Sequence, residues 1–141
     1  MILTDSGPRT MLILGAVLWC LTGMPALGQD IPCEVNQGPC RTMIQASTVT
    51  LDISPKPVTA MRESTFLVTI AGPQPEQAPV IDLGMPAMKM GPNQVKLSRV
   101  NTGVYSGTGV IVRCASGKRT WFAKVVLAGM GEATFVFDVV Y

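Results

Sequence analysis

Three thioethers crowd one short stretch of this chain, Gly84-Met85-Pro86-Ala87-Met88-Lys89-Met90-Gly91-Pro92. The glycines and prolines that bracket Met85, Met88 and Met90 forbid a helix and favour a turn or an extended path. Methionine ordinarily fills gaps in a core, and thioether sulfur is also a soft ligand that suits Cu(I). Two arrangements fit the spacing. In one, Met88 and Met90, two apart on an extended segment, point the same way and cap one end of a domain with Met85 packed beneath. In the other, the three sulfurs converge on Cu(I), which accepts two or three thioethers and requires no ligand to lose a proton. Lys89 points to solvent in either case and disfavours a doubly charged ion nearby.

The remaining side chains exclude most catalysis. The chain has no histidine, so the commonest general base, the usual zinc ligand and every Ser-His or Cys-His pair are missing. Its carboxylates are few and scattered. Gly103, Gly107 and Gly109 lie in an alternating pattern with no helix after them, which is not a phosphate loop. We therefore expect a protein that is not an enzyme. Cys33, Cys40 and Cys114 are disulfide candidates in an oxidising compartment. A Cys33–Cys40 bridge would tie a short loop, whereas Cys33 or Cys40 bonded to Cys114 would pin the N-terminal segment onto the domain, and one of the three is left over. Cys114 has Arg113 beside it and Lys118 and Arg119 close by, a neighbourhood that favours thiolate if the sulfur is accessible. Trp121 reads as a core residue whose indole face could also flank a soft cation.

These residues stand on an exported scaffold. Arg9 precedes an apolar run from Met11 to Met24, and Ala26 and Gly28 have the small-residue spacing of a signal-peptidase site. We place the cut after Gly28, so residues 1–28 are a signal peptide. The apolar run is too short for a spanning helix. Trp19 ahead of Cys20 argues against a lipoprotein. Residues 29–46 form a loop-like, cysteine-containing segment, and 47–141 form one domain with a single core. Loss of 1–28 removes one acid and one base and leaves the net charge at +2, with no clustering along the sequence and no footprint for nucleic acid.

Alternation sets the fold class. Val49, Leu51 and Ile53 share one side of a strand, as do Phe66, Val68 and Ile70 in Glu63–Ala71. Val80–Leu83 runs into the methionine connector. Gln94–Val100 and Val104–Cys114 are joined by the turn Asn101-Thr102-Gly103. Within the second of these, Gly107 and Gly109 mark a bulge or the close approach of another backbone. Val110, Val112 and Cys114 read as its inward face. Ala115-Ser116-Gly117-Lys118 reads as a hairpin turn into Arg119–Ala128, where Trp121, Ala123, Val125 and Leu127 align. Phe135, Phe137, Val139 and Tyr141 align on the last strand. Seven strands with regular turn signals predict an all-β, immunoglobulin-like antiparallel sandwich, with a small Greek-key barrel as the alternative.

The run from Asp82 to Gly91, followed by Tyr105-Ser106-Gly107-Thr108-Gly109 and a strand into Trp121, resembles the YtkA-like/FixH-like family of small exported or membrane-tethered β-sandwich domains. The resemblance covers most of Val49 to Tyr141. It implies a periplasmic or otherwise extracytoplasmic domain associated with copper handling and with assembly of copper-containing oxidases, whose partners are envelope or copper-trafficking proteins. FixH-like members are held by a transmembrane helix, whereas this chain carries what reads as a cleavable signal. Pro86-Ala87-Met88-Lys89-Met90 is also similar to the Pro-x-Met-x-Met run of the CusF-like periplasmic copper chaperones, small barrels that add a histidine ligand this chain lacks. A cysteine or Trp121 would then have to assist the methionines.

Overall fold

The computed structural model describes residues 31–141; the segment 1–28 read as a signal peptide, Cys20 included, lies outside the described residues. Ten strands follow in order: β1 (Ile31–Pro32), β2 (Cys40–Ile44), β3 (Ser47–Ser54), β4 (Glu63–Ala71), β5 (Val80–Gly84), β6 (Gln94–Lys96), β7 (Ser98–Asn101), β8 (Val104–Val110), β9 (Thr120–Leu127) and β10 (Gly131–Asp138). They form two five-stranded sheets, ordered β1-β10-β9-β5-β6 and β2-β3-β4-β8-β7. All pairings are antiparallel except that of β1 with β10. Neither sheet closes on itself, so the molecule is an all-β sandwich and not a barrel. Among the described residues there is no helix long and apolar enough to cross a membrane.

Strict period-two patterning builds the core. The inward residues of β3 (Val49, Leu51, Ile53), β4 (Phe66, Val68, Ile70) and β9 (Trp121, Ala123, Val125, Leu127) are buried, as are Phe135 and Phe137 of β10. Trp121, Phe66 and Phe135 are the largest fully buried side chains, each worth roughly 2–3 kcal/mol of apolar transfer.

The sheets differ from the sequence expectation in four places. First, within residues 31–46 only Cys33–Pro39 and the Gln45-Ala46 turn lie outside strands: β1 and β2 supply an edge strand to each sheet. Second, the expected strand Gln94–Val100 is broken at buried Leu97, so β6 belongs to one sheet and β7 to the other. Gly107 explains how the chain passes: a Cβ there would collide with the Lys96 carbonyl oxygen, and one at Gly109 would collide with Val95. Gly107 therefore marks a close approach of backbone, and Gly109 that of the Val95 side chain. Third, the inward parity of β8 runs Tyr105, Gly107, Gly109 and on to buried Ile111, which leaves Val110 and Val112 exposed and not on the core face. Fourth, β8 ends at Val110, and Ala115–Lys118 is a tight turn within a crossover between sheets, not a hairpin.

Candidate functional site

The connector between β5 and β6 is pinned at its base and tightly turned at its start. The Leu83 amide donates to the Asn93 carbonyl at 2.8 Å, and Asn93 Nδ2 donates to the Val110 carbonyl at 3.3 Å. Pro86 presets φ for the second position of a turn, Ala87 follows with φ of 59°, and the Met88 amide donates to the Met85 carbonyl at 3.3 Å. Proline followed by a left-handed residue is the type II pattern.

This geometry gives the three methionines different places. Met85 is only 2% exposed and belongs to the core; Met88 is 39% exposed; Met90 is half-buried against the core, with exposed Lys89 between the last two. The β5–β9 register pairs Leu83 with Ala123 and Gly84 with Phe122. Continued by one residue, it sets Met85 opposite Trp121. Trp121 is fully buried, and its indole Nε1 has no hydrogen-bond partner among the described residues. Met85 and Trp121 are thus buried, while Met88 is exposed and Met90 half-buried farther along the connector.

The cysteines resolve into a pair and a single thiol. Cys33 and Cys40 form a disulfide, with Cα atoms 6.1 Å apart. Cys33 follows β1 and Cys40 opens β2, so the bond ties an edge of one sheet to an edge of the other. Cys114 is free and buried in the β8–β9 loop. Its Sγ lies 2.9 Å from Ser116 Oγ. The Ser116 hydroxyl and backbone hold this thiol below its usual range; burial opposes them, and the backbone and charge of Lys118 add to the lowering. The thiol is thus biased toward thiolate, the reactive form.

All these groups lie at one end of the molecule. Sequence reasoning missed Met61, whose side chain is 65% exposed and whose Sδ accepts a hydrogen bond from the Arg113 amide at 3.4 Å. Its amide donates to the Ile111 carbonyl at 2.8 Å. Nothing in the run Thr59-Ala60-Met61-Arg62 signals this, because the neighbourhood arises only when the β3–β4 loop meets the β8–β9 loop. Tyr141 was read as a member of an inward face; it is half-exposed, and its hydroxyl accepts from the Cys114 amide at 3.2 Å and donates to the Lys118 carbonyl.

No family model matches the chain, and no curated protein and no solved structure matches it. The likeness to YtkA-like and FixH-like domains therefore stands only on the methionine connector, the Tyr105–Gly109 strand and the strand into Trp121.

Proposed function

We propose that this chain is a non-enzymatic Cu(I)-handling domain of the extracytoplasmic space, in which Met85, Met88 and Met90 hold the ion as cargo for oxidase assembly or copper homeostasis. The observation that supports the reading is the backbone turn from Met85 to Met88, which keeps the three methionines on one short connector, with Met85 buried, Met88 exposed and Met90 half-buried. The donor set fits the metal: neutral sulfur suits a soft monovalent ion, and nothing there must be deprotonated. Trp121 opposite Met85 offers an indole as a further soft neighbour. The resemblance to a copper-associated exported family points the same way.

The test uses residues Gln29–Tyr141, which contain both sheets in full and have Trp121 as their only tryptophan. Reduced protein is titrated with Cu(I) against a competing chelator while indole fluorescence is followed. Saturable uptake with quenching is expected, and Met88→Leu with Met90→Leu should abolish the competition while the volume-conserving change leaves the fold intact. Equal uptake by the parent and this variant would remove the reading.

The second reading is a protein-interaction module of the envelope. What favours it is β7, an edge strand of one sheet whose residues Ser98–Asn101 are all exposed. Such an edge can accept a strand from a partner. It predicts crosslinks through β7 and no Cu(I) affinity.

A further inference from the structure

Cations from three separate connections are gathered by the topology. Arg62 ends the β3–β4 loop, Lys89 lies in the connector, and Arg113, Lys118 and Arg119 lie in the β8–β9 loop. All are exposed at the end of the sandwich described above. None is ion-paired among the described residues, where the salt bridges are Lys56–Asp52 and Lys124–Glu132. The acids at this end are Asp52, already paired, with Glu34, Glu63, Asp82 and Asp138; Asp82 accepts from Gln94 Nε2 at 2.6 Å and Asp138 from Thr120 Oγ1 at 2.7 Å.

Two of the cations are held in place. The guanidinium carbons of Arg113 and Arg119 lie 5.2 and 6.0 Å from the centroid of the same Tyr141 ring. That ring is itself fixed through its hydroxyl to the Cys114 amide and the Lys118 carbonyl. Like charges gathered on one ring, with no carboxylate bonded to either, are complementary to an anion of the phosphate class. Apolar side chains stand among them. Met61 is 65% exposed beside Arg62, and Val112 is exposed beside Arg113.

We propose that this end docks on an anionic phospholipid surface. Arg113, Arg119 and Lys118 take the headgroup phosphates, and Met61 and Val112 enter the boundary between headgroups and acyl chains. A lipid surface fits better than a protein. The apolar groups are single side chains projecting from loops among cations, which a fluid bilayer can mould to, whereas a protein interface concentrates its energy in pockets filled by anchors. The proposal uses none of the methionines assigned to copper and does not depend on that reading.

The experiment is cosedimentation of metal-free Gln29–Tyr141 with vesicles of phosphatidylcholine containing roughly one third phosphatidylglycerol, against vesicles of phosphatidylcholine alone. Binding is expected only to the anionic vesicles, and it should fall away as salt is raised. Each basic residue near such a surface contributes about fivefold, so Arg113→Gln with Arg119→Gln should weaken partition by at least about tenfold. Arg62→Gln with Lys118→Gln should do the same without removing either contact to the Tyr141 ring. Lys96→Gln with Arg99→Gln, the same charge change on β6 and β7, should leave it unchanged. Absence of binding at low salt, or an equal loss in the β6–β7 variant, overturns the proposal; so does capture of an envelope protein through Arg113 and Arg119 with no vesicle binding.

Discussion

The two ends of the sandwich are closed by connections of different kinds. At the end away from the methionines, short connections bond to one another. Ser47 Oγ donates to the Pro73 carbonyl at 2.6 Å, Gln45 Nε2 to the Met130 carbonyl at 2.7 Å, and Gln74 Nε2 to the Ile70 and Gly72 carbonyls at 2.9 Å. Tyr105 adds its hydroxyl to Gln74 Oε1 at 3.3 Å. Polar groups there are consumed in closing the core. At the methionine end, Met61, Met88 and cations project from longer loops, while the Cys114 thiol is buried. Most interactions there, such as Met61 with Arg113, position one loop against another. Side-chain bonds between short turns mark one end, and exposed Met61, Met88 and cations unpaired among the described residues mark the other.

Matched substitutions at two glycines test that contrast most strongly. Gly103 and Gly117 both have positive φ, 68° and 75°. A Cβ at Gly103 would lie 2.5 Å from the Ile70 carbonyl oxygen, while one at Gly117 meets nothing within 4 Å. Alanine costs roughly 1–2 kcal/mol at either position for the left-handed backbone. Only at Gly103 is a steric cost of about 1–3 kcal/mol added. Urea denaturation should therefore find Gly103→Ala less stable than Gly117→Ala by about 1–3 kcal/mol. Equal losses would mean that the closed end is no tighter than the open one.

Cys114 gives the next largest effect, in pH and not in global stability. Its folded pKa is lowered, chiefly by Ser116. A lowered pKa means that the thiolate is favoured by folding, so this contribution is complete above the unfolded pKa and disappears as pH falls through the folded one. The rate of alkylation by a small reagent should rise at lower pH in the native protein than in urea. Ser116→Ala should move the native midpoint upward. Coincident native and denatured profiles would show that the loop does nothing to the thiol.

The strands of both ends were legible because they obey a period of two over long runs, as in Val49–Ile53 and Trp121–Leu127. The parity of β8 was not, for a physical reason. Its inward positions include Gly107 and Gly109, whose missing side chains are replaced by the passing chain near Lys96, so the valines at 110 and 112 stand out as a false apolar face. β2 was hidden because Cys40–Ile44 follows a glycine and a proline and carries exposed Arg41 and Met43. The connector's turn could be read from Pro86, and the separate fates of Met85, Met88 and Met90 could not: spacing shows that sulfurs are near in sequence and not how deep each lies. Of the cationic end, only Arg113, Lys118 and Arg119 could be read, as the basic neighbourhood of Cys114; that Arg62 joins them follows only from the β4–β8 pairing.

The smallest effect separates the ends most finely. Among the described residues, three non-glycine residues are in the left-handed region: Ala87 with φ of 59° and Met61 with φ of 62° at the methionine end, and Gln45 with φ of 53° at the other. Ala87 is exposed, and its methyl returns nothing for the strained backbone. Gln45 sits in the same conformation but its amide bonds the Met130 carbonyl, tying the β2–β3 turn to the β9–β10 turn. Glycine relieves roughly 1–2 kcal/mol of backbone strain at either site and gives back about 0.4–1 kcal/mol through a freer unfolded chain. Ala87→Gly should therefore raise stability by about 0.5 kcal/mol. Gln45→Gly forfeits in addition a hydrogen bond worth about 1 kcal/mol, so it should gain nothing or lose slightly. Opposite signs in thermal unfolding would confirm that strain at the closed end is compensated by bonding, whereas strain in the methionine connector is not. The same sign for both would erase the distinction.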